Sequence, residues 1–155
     1  MSDWRETFSA LKADGNKEYL KLGAIFKMPM DERHGITPKD GQDDRAKFFI
    51  IVGFTDDGNI IGAIIINKGI NRHDFTPELY MEHYPLQKSN YSDIFTKNSF
   101  ACCTNIKEIK RDEVLIYASY KGCLINSDFD LIMEHLKDSG VITLKEKKKY
   151  GIIKS

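Results

Sequence analysis

The residues of this chain that could do chemistry stand at the ends of two apolar stretches. Arg45 opens the stretch RAKFFIIVGF, and Asn67 and Lys68 follow the stretch IIGAIII. A guanidinium stays charged and binds two phosphate oxygens at once, an amide can donate to an oxyanion, and an ammonium pairs with phosphate. This pattern predicts a phosphate site at one end of a hairpin. The alternative is a solvated Arg45 that pairs with Asp43 or Asp44, an exposed interaction that contributes little.

The two apolar stretches themselves predict strands. FFIIVGF (48–54) and IIGAIII (60–66) are β-branched and aromatic, and Asp57-Gly58 between them is a strong hairpin-turn signal. Because both faces of each strand are apolar, the hairpin must be covered on both sides. A small, strongly curved antiparallel barrel with a helix across it meets that requirement.

Further elements are expected on both sides of the hairpin. GAIFKM (23–28) predicts a strand that Pro29 ends, and SFACCTNI (99–106) predicts another. A short helix or turn is expected around 111–118. Apolar residues spaced i, i+3, i+4 and i+7 predict a helix over 127–139, with Ser127 as its cap and Gly140 as its stop.

The remaining segments carry weaker patterns. Capping-box spacing and one apolar face predict an N-terminal helix over 3–14. Residues 30–44 are acidic and lack a hydrophobic period, which favours a long functional loop. Residues 70–98 predict loops, with one helical turn near 77–83. The lysine-rich tail 144–155 could contact phosphates, although a solvated, fraying terminus is the simpler interpretation.

Composition limits the class of protein. The 155 residues, 41% of them hydrophobic, suit a single domain over 1–155 with its barrel core in 22–138. Lysine plus arginine equals aspartate plus glutamate at 23 each, so only a local patch could attract a polyanion. No apolar run is long enough to span a bilayer, and the first residues are charged, which predicts a cytoplasmic protein with no membrane contact. The three cysteines, Cys102, Cys103 and Cys123, lack metal or disulfide spacing and suit buried free thiols.

The order of these elements resembles the PemK/MazF-type toxin family of toxin–antitoxin systems. The resemblance covers about residues 22–138 and rests on GAIFKM, RAKFFIIVGF, IIGAIIINKG, SFACCTNIKEI and YKGCLINSDFDLIMEHL in that order. It implies an SH3-like barrel, mainly β with a C-terminal helix packed on it, that forms a homodimer and has an antitoxin protein as partner. It also implies a hydrolase, an endoribonuclease that cuts single-stranded RNA without a metal or any other cofactor.

The resemblance assigns roles to particular residues. Arg45 matches the family's catalytic arginine at the start of the second strand, where it would hold the charge of the transition state. The family has a threonine or serine just after the third strand, but Asn67 stands there, so we expect the amide to take part in catalysis. Lys47, Lys68 and His34 are the expected RNA-binding residues, and His34 could also act as an acid or base. The missing hydroxyl keeps open an alternative, a non-catalytic barrel that binds another protein.

Overall fold

The computed structural model describes residues 15–31, 45–66, 83–95, 99–139 and 142–153. Within them, six strands form one antiparallel sheet in the order β4-β5-β3-β2-β1-β6. The sheet is strongly curled into a half-barrel, which confirms the predicted mainly-β class. The strands are β1 (Ala24–Met30), β2 (Arg45–Phe54), β3 (Ile60–Ile66), β4 (His83–Leu86), β5 (Ser99–Ile109) and β6 (Ser119–Cys123).

Three helices lie after β5 in the described part of the chain. They are α1 (Arg111–Tyr117), α2 (Asn126–Asp138) and α3 (Leu144–Lys149). A 3₁₀ turn covers Lys88–Asn90. Helix α2 packs on the sheet through the predicted apolar stripe, because Ile132 and Leu136 are fully buried. The predicted Ser127 cap is wrong, since the helix starts one residue earlier with Ile125 as N-cap and has no side-chain cap.

The β2–β3 hairpin forms the centre of the sheet, as predicted. Phe48 pairs with Ile65 and Phe54 with Ile60. Gly58 has a φ of +85° in the turn, where the amide of Gly58 donates to the carbonyl of Thr55 at 2.9 Å. A residue without a Cβ adopts this left-handed conformation freely, which explains why the Asp57-Gly58 signal was reliable.

Alternate side chains of the sheet build two separate cores, one on each face. The α2-side core joins the even positions of β2 to α2 and to the C-terminal segment, and its members include Ile50, Val52, Ile61, Ile65, Ile132, Leu136, Ile142 and Ile152. The α1-side core joins the odd positions of β2 to α1, and its members include Phe26, Met28, Phe49, Ile51, Ile64 and Val114. The prediction that both faces of the hairpin are covered is therefore confirmed.

Two prolines lie inside strands, contrary to the sequence prediction. Pro29 does not end β1, which runs on to Met30. Strand β6 pairs with β1 only as far as Lys27, so Pro29 has one neighbouring strand and needs no donor on its other side. Pro85 lies in β4, in a region predicted as loop, and β4 is the outermost strand beside β5. A proline is compatible with such an edge for the same reason.

Two other sequence expectations also need correction. The described part of the C-terminal tail, 144–153, is not a fraying terminus, because residues 144–149 form α3 and Ile152 is only 3% exposed. The expected homodimer gains no support from the hairpin, because Phe49–Val52 and Ile60–Ile65 are buried within one chain. A dimer therefore rests on the family resemblance alone. Among the described residues, no helix is long and apolar enough to cross a membrane.

Candidate functional site

The start of β2 places Arg45 at one end of the curled sheet. Arg45 pairs with Met30, the last residue of β1. Strand β3 ends at this same end, where Ile66 pairs with Phe100 near the start of β5. In the sequence, Ile66 is followed directly by Asn67 and Lys68. We call this end of the sheet the Arg45 end.

Two lysines flank the Arg45 end from opposite faces of the sheet. Lys27 lies opposite Phe48 in the register, and its Nζ is 5.1 Å from the centroid of that ring. Lys47 lies opposite Met28, on the α1-side face, and is partly exposed. Lys27 was not predicted as a site residue; its position on the strand next to RAKFF is set by the pairing of β1 with β2, which the sequence does not reveal.

The other predicted site residues fall outside what the structure describes. His34, Asn67 and Lys68 lie outside the described residues, and only the backbone of Arg45 is described. The N-terminal helix predicted over 3–14 and most of the loop predicted over 30–44 lie outside them as well. Of the predicted set, the structure thus brings together the strand positions of Arg45 and Lys47.

On the α2-side face, the hydroxyls of two tyrosines hold the carboxylate of Asp128. This group was not predicted from the sequence. The hydroxyl of Tyr84 donates to Oδ1 of Asp128 at 2.8 Å, and the hydroxyl of Tyr91 donates to Oδ2 of Asp128. The amide of Ile125 donates to the Tyr91 oxygen at 3.1 Å. We call these three side chains the tyrosine tie, because they join the sheet edge at β4 to the first turn of α2.

The electrostatics of the tyrosine tie favour a structural role. Burial, followed by the hydrogen bond to Asp128, raises the pKa of Tyr84 to about 12. The same two causes raise the pKa of Tyr91. Both phenols therefore stay protonated at neutral pH and keep donating to the carboxylate, so neither acts as a base there. The residues are far apart in sequence, and no spacing pattern could have shown that they meet.

The cysteines divide into two buried and one exposed. Cys102 and Cys103 are buried as predicted, and burial raises the pKa of the Cys103 thiol to about 12. Cys123 is exposed, contrary to prediction, and its Sγ lies 3.1 Å from the Tyr120 hydroxyl. Among the described residues, no group of three or more histidine, cysteine or acidic side chains could hold a metal ion.

The lysine-rich helix α3 lies at the opposite end of β2. The Tyr150 carbonyl oxygen packs so closely on Gly53 that a Cβ there would be 2.2 Å away. Nζ of Lys149 is 3.6 Å from a carboxylate oxygen of Glu108, near the end of β5. We call this the α3 end. It is separated from the Arg45 end by eight residues of β2, or roughly 26 Å of extended strand.

Comparison with known proteins finds no family model that matches this chain and no curated protein with significant similarity to it. The PemK/MazF resemblance therefore stays a prediction that depends on the order of sequence elements.

Proposed function

We propose that this protein is a metal-independent endoribonuclease of toxin–antitoxin type that cuts single-stranded RNA. One observation carries the proposal. The strand register places Arg45 at the end of the sheet where β3 leaves for Asn67 and Lys68, and Lys27 and Lys47 flank it. Cations that stand at one end of a sheet can bind the phosphates of RNA without reading its sequence.

The reaction would be an internal transfer. The 2′-oxygen of a ribose attacks the adjacent phosphorus, the bond to the 5′-oxygen breaks, and the products are a 2′,3′-cyclic phosphate and a 5′-hydroxyl. Negative charge builds on the phosphoryl oxygens in the transition state, where the guanidinium of Arg45 and the amide of Asn67 would stabilise it. Lys47 and Lys68 would hold neighbouring phosphates. His34 is our candidate for moving a proton, because an imidazole can serve as an acid or a base.

Cleavage of a long single-stranded RNA in EDTA tests this proposal. We expect the wild type to cut the RNA, to leave cyclic phosphate ends, and to be at least about a hundredfold faster than Arg45→Ala, because the variant loses a transition-state contact. Arg111→Ala is the matched control, since Arg111 begins α1 beyond the α3 end of β5. We expect its rate to stay within about twofold of the wild type.

Two outcomes of this assay would contradict the proposal. An Arg45→Ala protein that cleaves as fast as the wild type would remove the assigned site. A folded wild type that cleaves none of several RNAs would remove the activity itself.

A second candidate function is a non-catalytic barrel that binds another protein, such as an antitoxin. It is favoured by exposed apolar side chains around α1, where Tyr117 is 60% exposed and Ile116 39%. Tyr19, itself partly exposed, stacks on Tyr120 next to them in the chain, with ring centroids 3.9 Å apart. Tyrosines that present an apolar ring and a polar edge are typical of protein interfaces. The absence of cleavage in the assay above would favour this candidate.

A further inference from the structure

Helix α3 is a well-anchored element although its sequence, LKEKKK, has no apolar stripe. Thr143 and Glu146 form a complete capping box, in which the Glu146 amide donates to Oγ1 of Thr143 at 3.1 Å and Oε1 of Glu146 accepts from the Thr143 amide at 3.3 Å. Ile142 and Ile152, on either side of the helix, are buried in the α2-side core. The helix is therefore held at both ends.

The outer face of α3 concentrates positive charge. Lys145, Lys148 and Lys149 are exposed and follow the i, i+3, i+4 spacing of neighbours on one helix face. We call these three lysines the basic face. Like charges at this spacing destabilise an isolated helix, and the one acidic residue of α3, Glu146, is engaged in the capping box.

Little within the described part of the chain neutralises the basic face. Lys149 pairs with Glu108 at 3.6 Å, but both side chains are solvent-exposed, so screening makes the pair weak. Lys147, which is not part of the face, donates to the Lys137 carbonyl at 2.6 Å and ties α3 to the end of α2. No ion pair of Lys145 or Lys148 with another described residue is present. The basic face thus presents its charge outward from a fixed position.

We propose that the basic face is a second contact surface for the phosphates of single-stranded RNA, separate from the Arg45 end. The identity of the polyanion as RNA rests on the proposed function. The choice of this surface rests on charge complementarity. Arg45 and Gly53, on which the segment after α3 packs, are at most roughly 26 Å apart, which about eight stacked nucleotides at ~3.4 Å each would span. RNA bound at the Arg45 end should therefore reach α3 only when it is longer than this.

The test measures RNA affinity apart from cleavage. Fully 2′-O-methylated RNA lacks the attacking hydroxyl, so dissociation constants can be measured by fluorescence anisotropy for a 4-mer and a 24-mer over a salt series. The protein variant is Lys145→Ala combined with Lys148→Ala and Lys149→Ala. The matched control replaces three other exposed lysines, Lys17, Lys21 and Lys121, by alanine.

We expect the basic-face variant to bind the 24-mer about tenfold or more weakly than the wild type at low salt. The slope of log K against log salt should fall by roughly 2, because three lost single-strand phosphate contacts contribute about 0.7 each. The 4-mer should bind both proteins equally, and the control should match the wild type within about twofold for both RNAs. Circular dichroism and the thermal midpoint should show that all variants are folded, and a lysine-to-glutamine version should reproduce the result.

The outcomes separate this inference from the proposed function. Length-dependent loss of affinity in the variant, together with no cleavage of natural RNA by the wild type, supports the basic face and overturns the proposed function. If the wild type cleaves RNA but the variant and the wild type bind the 24-mer equally, the basic face is not an RNA contact. This outcome includes the case in which the basic face binds an acidic protein instead. An equal loss in the control variant would also overturn the inference, because the effect would then reflect net charge.

Discussion

The Arg45 end and the α3 end of the sheet both carry positive charge, but the fold supports them differently. At the Arg45 end, cations stand on two strands whose pairing fixes their positions, and β3 leaves the sheet beside them. At the α3 end, lysines line a short helix that is fastened to β2 and α2 by contacts outside its charged face. Strand positions can aim single groups at a reacting atom, whereas a row of helical lysines supplies binding charge without such precision. We therefore propose catalysis at the first end and only RNA retention at the second.

The largest change of stability is expected from breaking the attachment of α3 to the sheet. Gly53→Ala would place a Cβ 2.2 Å from the Tyr150 carbonyl oxygen, so the C-terminal segment or β2 must shift. We expect a loss of about 3 kcal/mol in the free energy of unfolding, measured by urea denaturation. The basic face should then lose its effect on 24-mer binding, since it is no longer held in place.

Gly15→Ala is the control for this experiment. An added Cβ at Gly15 meets no atom within 4 Å, and residues 15–17 are helical, so alanine should be neutral or slightly stabilising there. Equal unfolding free energies for Gly53→Ala and the wild type would show that α3 does not depend on this contact, and the contrast between the two ends would lose its structural basis.

A smaller effect is expected from the tyrosine tie, which belongs to neither end. Tyr84→Phe removes one hydrogen bond to Asp128, and we expect a loss of about 1 kcal/mol at pH 7. The raised pKa of Tyr84 in the folded state means that its contribution is complete below pH 10 and is lost as the pH rises from 10 to about 12. Urea denaturation at pH 7, 9, 10 and 11 should show a shallower alkaline loss of stability in the variant than in the wild type.

Tyr117→Phe is the matched control for the tie, because Tyr117 is largely exposed. It should follow the wild-type curve at every pH. If Tyr84→Phe also followed that curve, the phenol–carboxylate contact would contribute nothing to stability. A change of KM or kcat specific to Tyr84→Phe would instead indicate that the tie takes part in activity, which the comparison of the two ends does not predict.

The most local effect is expected from the cap of α3. Thr143→Ala removes the capping box, which should destabilise α3 locally by about 1 kcal/mol. Amide hydrogen exchange in residues 144–149 should then be about fivefold faster, while exchange in the β2–β3 hairpin stays unchanged. Unchanged exchange in α3 would mean that its flanking isoleucines alone hold the helix.

The sequence predicted the elements whose signals are local. The β2–β3 hairpin was readable from two apolar runs around Asp57-Gly58, and α2 from its apolar stripe. Helix α3 was missed because it has no stripe, although Thr143 and Glu146 have readable capping-box spacing. Strand β4 was missed because Pro85 is compatible with a strand only at an edge, and edges are known only from the full sheet.

The candidate site was predictable only where chain order determines it. The hairpin rule alone places the start of β2 beside the end of β3, and so Arg45 near the point where the chain continues to Asn67. Predicting Lys27 would have required knowing that β1 pairs with β2. Predicting the tyrosine tie would have required knowing that β4, the 3₁₀ segment and α2 meet. Such contacts between distant parts of the chain depend on the curl of the sheet and leave no pattern in the sequence.

The most direct test of the account compares the two ends in one assay. Steady-state cleavage of a single 24-nucleotide RNA in EDTA would give kcat and KM for the wild type, for Arg45→Ala and for the basic-face triple alanine variant. We predict that Arg45→Ala lowers kcat at least about a hundredfold with little change in KM, and that the triple variant raises KM with kcat unchanged. A change of the same parameter in both variants, or no change of either parameter in Arg45→Ala, would contradict the proposed division between the two ends.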